Sequence, residues 1–357
     1  MNPPDASSVT TTRPIRGLAR AVHLIAGLVA LPFLLVSIVL AMALTHPAAL
    51  HALSAAIYPS LPIPAAAPAG PVQPGSWDQA LALANTAHGT PAHVITARND
   101  HLVEIGAFDS HDHDPNARSV NPRTLYLIDT DSMRIVRVED RHTSLFNQGH
   151  GIHAYRFFGL EWLSVSMISA VALLLLLVSG VWLARGARGG ARPDDAGARR
   201  HVRAGQVLAV FIVLISLTTL DFEFLVFNRS GDATHPIPPV TPDGPIRPGS
   251  IDQARALAAR AIGAVPQSVF IRGADELKFS QAGDGIGGSS VWVDAEHMRI
   301  KRITDWRNDP QALSFIIHDG RWLGGMNAFN IHDAAALGLL YLSLSGLRLA
   351  WLRRRRA

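Results

Sequence analysis

Histidines recur at matched places along this chain, each beside a long apolar run. His23-x3-Gly27 and His201-x3-Gly205 open two such runs. His153-x2-Arg156-x2-Gly159 and His318-x2-Arg321-x2-Gly324 precede two others, and His332 stands at the start of the last. Ionisable residues at membrane depth are functional candidates, because hydrocarbon burial is costly unless they are used. Imidazoles on facing helices suit axial ligation of b-type haem, one neutral ring filling each side of the iron. Arg156 and Arg321 suit haem propionates, since a guanidinium matches carboxylate geometry. The glycines one turn after His23 and His201 remove a Cβ on the same face, leaving room for a flat macrocycle or a close helix neighbour. The plainer reading is that His-x2-Arg-x2-Gly anchors the chain among lipid headgroups.

The elements that position these residues follow from hydropathy. Of 357 residues, 48% are apolar and only 17% charged, and the mean hydropathy is +0.19, which is high for a soluble chain of this size. Leu24–Leu44 and Leu163–Ala184 carry no charge, Val207–Leu220 is uncharged up to Asp221, and Ala334–Leu352 is broken only by Arg348. Each run approaches the ~20 residues that cross the hydrocarbon layer. The expected plan is a cytoplasmic N-terminus (1–22), spans at 23–44, 161–184, 204–227 and 329–352, a cytoplasmic link (185–203) and a basic tail (353–357). Two outside domains fill 45–160 and 228–328.

Arginines set the orientation. Arg13, Arg16 and Arg20 precede the first span, six arginines crowd residues 185–203, and Arg353 to Arg356 follow the last span. By the positive-inside rule all three groups are cytoplasmic and both domains extracytoplasmic. The calculated pI of 9.9 then reflects topology, not a nucleic-acid surface. A span rises about 30 Å, so His23 and His201 cannot share an iron with His153, His318 or His332. One or two haems are expected, with His332 the best-fixed outer ligand and His153 or His318 its partner. The chain has no cysteine, which excludes disulfides, thiolate ligation and thiol catalysis within it.

The outer domains say almost the same thing twice. Pro71-Val72-Gln73-Pro74-Gly75-Ser76-Trp77-Asp78-Gln79 returns as Pro245-Ile246-Arg247-Pro248-Gly249-Ser250-Ile251-Asp252-Gln253. Asp129-Thr130-Asp131-Ser132-Met133-Arg134-Ile135 returns as Asp294-Ala295-Glu296-His297-Met298-Arg299-Ile300. Residues about 45–70, rich in Ala and Pro, read as an irregular connection. Ser76 and Ser250 start helices, each with a glutamine three residues on as in a capping box. Strands are predicted at 94–97, 102–107, 125–128 and 135–138, and again at 269–272, 277–279, 291–293 and 300–303. A helix with antiparallel strands makes a small α+β domain. Neither copy has a Gly-rich phosphate loop or a nucleophile–base pair. The loop His111-Asp112-His113-Asp114, with His101 nearby, is a further metal candidate against the plainer reading of an exposed polar loop.

Together these motifs resemble the PepSY-associated transmembrane family of bacterial inner-membrane proteins. The likeness rests on the His23 and His201 helix starts and on His153-x2-Arg156-x2-Gly159 and His318-Asp319-Gly320-Arg321-x2-Gly324. It extends to the span endings Leu177-Val178-Ser179-Gly180-Val181-Trp182 and Leu344-Ser345-Gly346-Leu347. The four apolar runs and the paired motifs read as four transmembrane α-helices in a duplicated helix–domain–helix plan, and the resemblance implies PepSY folds outside. For some members it implies a haem-bearing reductase that releases iron from ferric siderophores. On that expectation a quinol or cytoplasmic donor delivers electrons near His23 and His201, and an iron chelate receives them beneath the PepSY pair. The rival expectation is a PepSY binding or regulatory module without redox activity. A transporter is disfavoured, because the spans lack midplane charges and have no Gly or Pro breaks apart from Pro32.

Overall fold

The computed structural model describes residues 12–107, 124–140, 142–145, 148–149, 152, 164–187, 196–224, 235–273, 275–281, 289–319 and 331–355. Among them the helices are α1 (Thr12–Leu44), α2 (Pro47–Ile57), α3 (Trp77–His88), α4 (Val165–Ala187), α5 (Ala196–Phe224), α6 (Ile251–Ile262), α7 (Pro310–Asp319) and α8 (Ile331–Arg354). The strands are β1 (Ala92–Asn99), β2 (Leu102–Ala107), β3 (Thr124–Asp129) and β4 (Arg134–Asp140), then β5 (Ser268–Ile271), β6 (Glu276–Ser280), β7 (Ser290–Asp294) and β8 (Arg299–Thr304).

Helices α1, α4, α5 and α8 are long and apolar enough to cross a membrane. In hydrocarbon each backbone N–H and C=O must be satisfied within the chain, and an uninterrupted helix does this. Helix α1 packs against α4 and α8, and α5 packs against the same two. So α1 and α5 occupy opposite corners of a four-helix bundle. Ala30, Leu34 and Ile38 of α1 meet Ala172, Leu173, Ile212, Ala336 and Leu339 in its seam. Val29, Val39, Val178, Val207, Val210 and Leu344 point outward, as lipid-facing side chains should. A Cβ on Gly338 would stand 2.7 Å from Leu208 Cδ1, so α5 and α8 approach closely there.

The expected irregular connection is corrected at Pro47–Ile57, which is helical. Proline is tolerated in a first helical turn, where its missing N–H would have no partner anyway. Five alanines in this stretch then favour helix. A second unforeseen helix, α7, leads toward the last span and packs on α5.

All eight strands form one antiparallel sheet in the order β4-β3-β2-β1-β5-β6-β7-β8. Its halves have the same order, a helix followed by four antiparallel strands. They join where β1 pairs with β5, Val94 opposite Phe270 and Ile95 opposite Val269. Period-2 alternation sends Ile95, Val103, Ile105 and Ile128 toward α3, and Val269, Leu277, Phe279, Val291 and Val293 toward α6. Every predicted strand lies at or within one residue of an observed one.

Each repeated motif has a physical role. Ser76 and Ser250 are N-caps, accepting bonds from Gln79 N and Gln253 N. The glutamines do not reach back to the cap residue as a capping box requires. They clamp the preceding loop instead: Gln79 Oε1 accepts from Gln73 N and its Nε2 donates to Pro71 O. Gln253 does the same with Arg247 N and Pro245 O. Gly75 (φ 78°) and Gly249 (φ 77°) take the left-handed turn before each cap. In the β3–β4 and β7–β8 turns, Asp129 Oδ1 accepts from Asp131 N and Ser132 N, and Asp294 Oδ1 from Glu296 N and His297 N. Met133 and Met298 then adopt positive φ, 50° and 48°, with side chains buried in the core.

Candidate functional site

His23 of α1 and His201 of α5 meet across the diagonal of the bundle, at the end where Arg20, Arg199, Arg200 and Arg203 lie. Their rings are 6.4 Å apart between centroids and mutually perpendicular. Each is held by the span that follows it in sequence. His23 Nδ1 is 2.9 Å from Ser179 Oγ on α4, and His201 Nδ1 is 2.8 Å from Ser345 Oγ on α8. Each ring rests on the next residue, a glycine: a Cβ on Gly180 or Gly346 would meet the ring Cε1 at 3.4 Å.

Each serine also has a helix carbonyl within reach. Ser179 Oγ donates to Leu175 O at 2.6 Å, and Ser345 Oγ donates to Leu342 O at 3.1 Å. With each hydroxyl hydrogen on its helix carbonyl, each imidazole donates from Nδ1–H to the serine oxygen. That leaves Nε2 as the basic nitrogen of both rings. A metal-ligating histidine has this arrangement, its other nitrogen hydrogen-bonded to an orienting group.

Separation offers a second test. A metal bonded at about 2.0–2.1 Å to a ring nitrogen lies about 3 Å from the ring centre, so two rings flanking one ion stand about 6 Å apart. The observed 6.4 Å between ring centroids is of that order, and both donors are imidazoles of the kind b-type haem takes. His23 and His201 are therefore the two residues that would hold a bis-imidazole haem. The glycines one turn after the histidines are used differently: Gly27 receives Leu176 and Gly205 receives Leu342, at 3.5 and 4.0 Å from a built Cβ. Of the two uses expected for them, the structure shows the close helix neighbour.

At the other end of the bundle the picture is partial. His318, late in α7, places Nδ1 3.4 Å from Thr218 Oγ1 of α5. The backbone of His332 lies in the first turn of α8; its side chain, together with His153, Arg156 and Arg321, lies outside the described residues. So do His111 and His113, while His101 pairs with Asp131 at 2.7 Å on the surface. Sequence reasoning missed a histidine here. His46, just after α1, pairs through Nε2 with Asp333 Oδ1 at 3.1 Å, and Asp333 is 1% exposed. Thr45 Oγ1 donates to the same carboxylate oxygen at 3.5 Å. Asp221 of α5 is also buried and accepts from Ser314 Oγ at 2.5 Å. Their signal was available, since an acid at the edge of an apolar run needs a partner. Among the described residues no group of three or more His, Asp or Glu is arranged to hold a bare metal ion.

A groove of about 380 Å³ opens between α5 and α8 beside Ser345, with Arg200, Arg348, Tyr341 and Leu344 on its walls.

Four membrane-length helices joined to an antiparallel α+β sheet define a multi-pass membrane protein. The family model for the PepSY-associated TM region matches residues 20–354, and the chain belongs to that family. No curated relative matches the chain.

Proposed function

We propose that this protein is a b-type haem electron-transfer protein of the bacterial inner membrane that reduces ferric chelates, such as ferric siderophores, outside the cytoplasm. The observation that carries the reading is the His23–His201 pair, perpendicular and 6.4 Å apart, with each Nδ1 held by a serine. Haem bound there would supply one-electron chemistry between a donor, a quinol or a cytoplasmic reductase, and the ferric chelate.

The chain's own residues do the rest. Ser179 and Ser345 orient the two imidazoles, and Gly180 and Gly346 make space for them. The groove beside Ser345 offers apolar walls and two arginines to an amphipathic donor such as a quinol. At the outer end His153, His318 and His332 are the candidates for a second haem, with Arg156 and Arg321 for its propionates. The His46–Asp333 pair adds an imidazole already oriented by a carboxylate. Reduction favours release, because hard oxygen donors hold ferric iron more tightly than ferrous iron.

The arginine-rich helix ends support cytoplasmic termini and a periplasmic sheet. The matched motifs, caps and turns of the two halves support a duplicated helix–domain–helix origin. The test is a visible spectrum of the purified full-length protein, oxidised and dithionite-reduced. A b-type α-band that is lost in His23→Ala and in His201→Ala supports the reading. A wild-type protein without that band overturns it in favour of a non-redox PepSY binding or regulatory protein.

A further inference from the structure

The two halves of the sheet differ in one chemically pointed way. On the first half, facing away from α3, Arg98 pairs with Glu104 and Arg137 pairs with Glu139. That face is closed by α2: Arg137 Nη2 donates to Tyr58 O at 2.9 Å. His51 of α2 is pushed down to about 4 by burial and by Arg98, with Glu139 opposing.

Strand register gives the corresponding positions in the second half. Thr96 opposes Glu104 as Phe270 opposes Lys278, so Arg98 corresponds to Arg272 and Glu104 to Lys278. Leu127 opposes Arg137 as Trp292 opposes Arg302, and Leu125 opposes Glu139 as Ser290 opposes Thr304. Both glutamates are thus replaced, one by lysine and one by threonine. A neutral, internally paired face becomes one with three positive charges.

Those charges converge on one indole. Arg302, Arg272 and Lys278 lie 4.4, 5.0 and 5.1 Å from the Trp292 ring centroid. None of the three forms an ion pair among the described residues. Trp292 is 9% exposed, and its buried Nε1–H has no hydrogen-bond partner among the described residues. A buried donor left unsatisfied is costly, and like charges gathered at partial burial repel. Burial is the main cause lowering the Lys278 pKa; Arg272 and Arg302 add to it, and Asp309, before α7, opposes it.

We infer that Arg272, Lys278 and Arg302, gathered round Trp292, form a binding site for a small soluble polyanion with carboxylate- or phosphate-type oxygens. Its oxygens accept from the three cations and from Trp292 Nε1–H. Cation–π contact holds the side chains in place before the anion arrives. Charge-assisted bonds supply the affinity. The first half cannot do this, because Glu104 and Glu139 already occupy its arginines. This site rests on the proposed function and deepens it by naming a negatively charged ferric chelate as the substrate class, yet its chemistry needs no haem.

The first half also supplies the test variants. Lys278→Glu installs the Glu104 carboxylate, and Thr304→Glu installs the Glu139 carboxylate, each in a register where the sheet already accepts it. The full-length oxidised protein in detergent is titrated with citrate by calorimetry. Wild type is expected to bind, more weakly as salt is raised. Each variant should weaken binding about tenfold or more, and the double variant should abolish it. A parallel titration with dihexanoylphosphatidylglycerol separates a lipid headgroup from a soluble ligand. Tighter binding of that lipid than of citrate overturns the assignment, as does absence of citrate binding to wild type or wild-type affinity in both variants. Citrate binding by a protein that shows no haem band would sink the electron-transfer reading and leave this site standing.

Discussion

Asp78 and Asp252 each sit in the first turn of one sheet-covering helix and cap the other. Ser250 Oγ and Ile251 N donate to Asp78 at 2.6 Å each, while Ser76 Oγ and Trp77 N donate to Asp252 at 2.6 and 2.7 Å. A carboxylate at a helix N-terminus satisfies orphan amides and meets the positive end of the helix dipole. Here the exchange ties the halves of the sheet together above the β1–β5 seam. Replacing either aspartate by Ala should destabilise the sheet by about 1–3 kcal/mol, and the double variant should lose less than the two losses added. Denaturant unfolding followed by tryptophan fluorescence reads this, and an unchanged midpoint in both single variants would contradict it.

Acid should act on this protein through its turns rather than through that interface. Burial, helped by the nearby Asp252 charge, raises the Asp78 pKa against its hydrogen bonds. A raised carboxyl binds its proton more readily folded than unfolded, so its titration adds stability as pH falls through the folded value. Asp294 has the opposite sign: the His297 amide, then Arg299 and the His297 ring, hold it at about 2. Its contribution is present above the unfolded value of about 3.9 and is lost as pH falls toward 2. Asp294→Asn should therefore flatten the stability curve in that window, and Asp78→Asn should not. The same acid slope in Asp294→Asn as in wild type would refute the assignment.

The α5–α8 contact is tight at one point. A Cβ on Gly338 would meet Leu208 Cδ1 at 2.7 Å, Cδ2 at 3.0 Å and Cγ at 3.3 Å, so the whole side chain must move. Gly338→Ala should cost about 1–3 kcal/mol by overpacking, and adding Leu208→Ala should recover part of it. Thermal unfolding in detergent compares the three proteins. If Leu208→Ala gave no rescue, the damage would lie somewhere other than this contact.

Much of this architecture is legible because it is written in hydropathy and turn chemistry. Uncharged runs announce the spans, and Gly75-Ser76 and Asp129-to-Met133 announce a cap and a hairpin turn whose side-chain bonds are local. What escaped depends on partners distant in sequence. The Asp78 carboxylate reads as a first-turn residue of its own helix, and nothing nearby says that Ile251 N is its donor. The β1–β5 seam is equally silent, since Val94 and Phe270 read as ordinary strand residues. Alanine-rich α2 was obscured by the prolines that flank it. At the candidate site the histidines are visible as a spaced pair. Ser179 and Ser345 lie in the span-ending motif, but only the bundle brings them to the rings.

Those serines give the sharpest test of the histidine pair. On the proposed function, removing either imidazole removes a ligand, so His23→Ala or His201→Ala should abolish the b-type band with the four helices still inserted. Removing a hydroxyl should do less and do it differently. In Ser179→Ala the His23 Nδ1–H loses its acceptor, the ring is free to rotate over Gly180, and Nε2 becomes a weaker donor. Such outer partners are worth roughly 10–100-fold in metal affinity, so haem content should fall under dilution while the remaining haem keeps a b-type spectrum. Its midpoint potential should move, because ligand basicity sets the balance of ferric and ferrous states. Ser345→Ala should shift the same band, since His201 would share the same iron. If both serine variants keep wild-type haem retention and potential while His23→Ala loses the haem, the serines are packing residues and the tautomer argument fails. If Ser179→Ala and Ser345→Ala perturb two separable bands, the rings serve different irons and the 6.4 Å pair is not one ligand set.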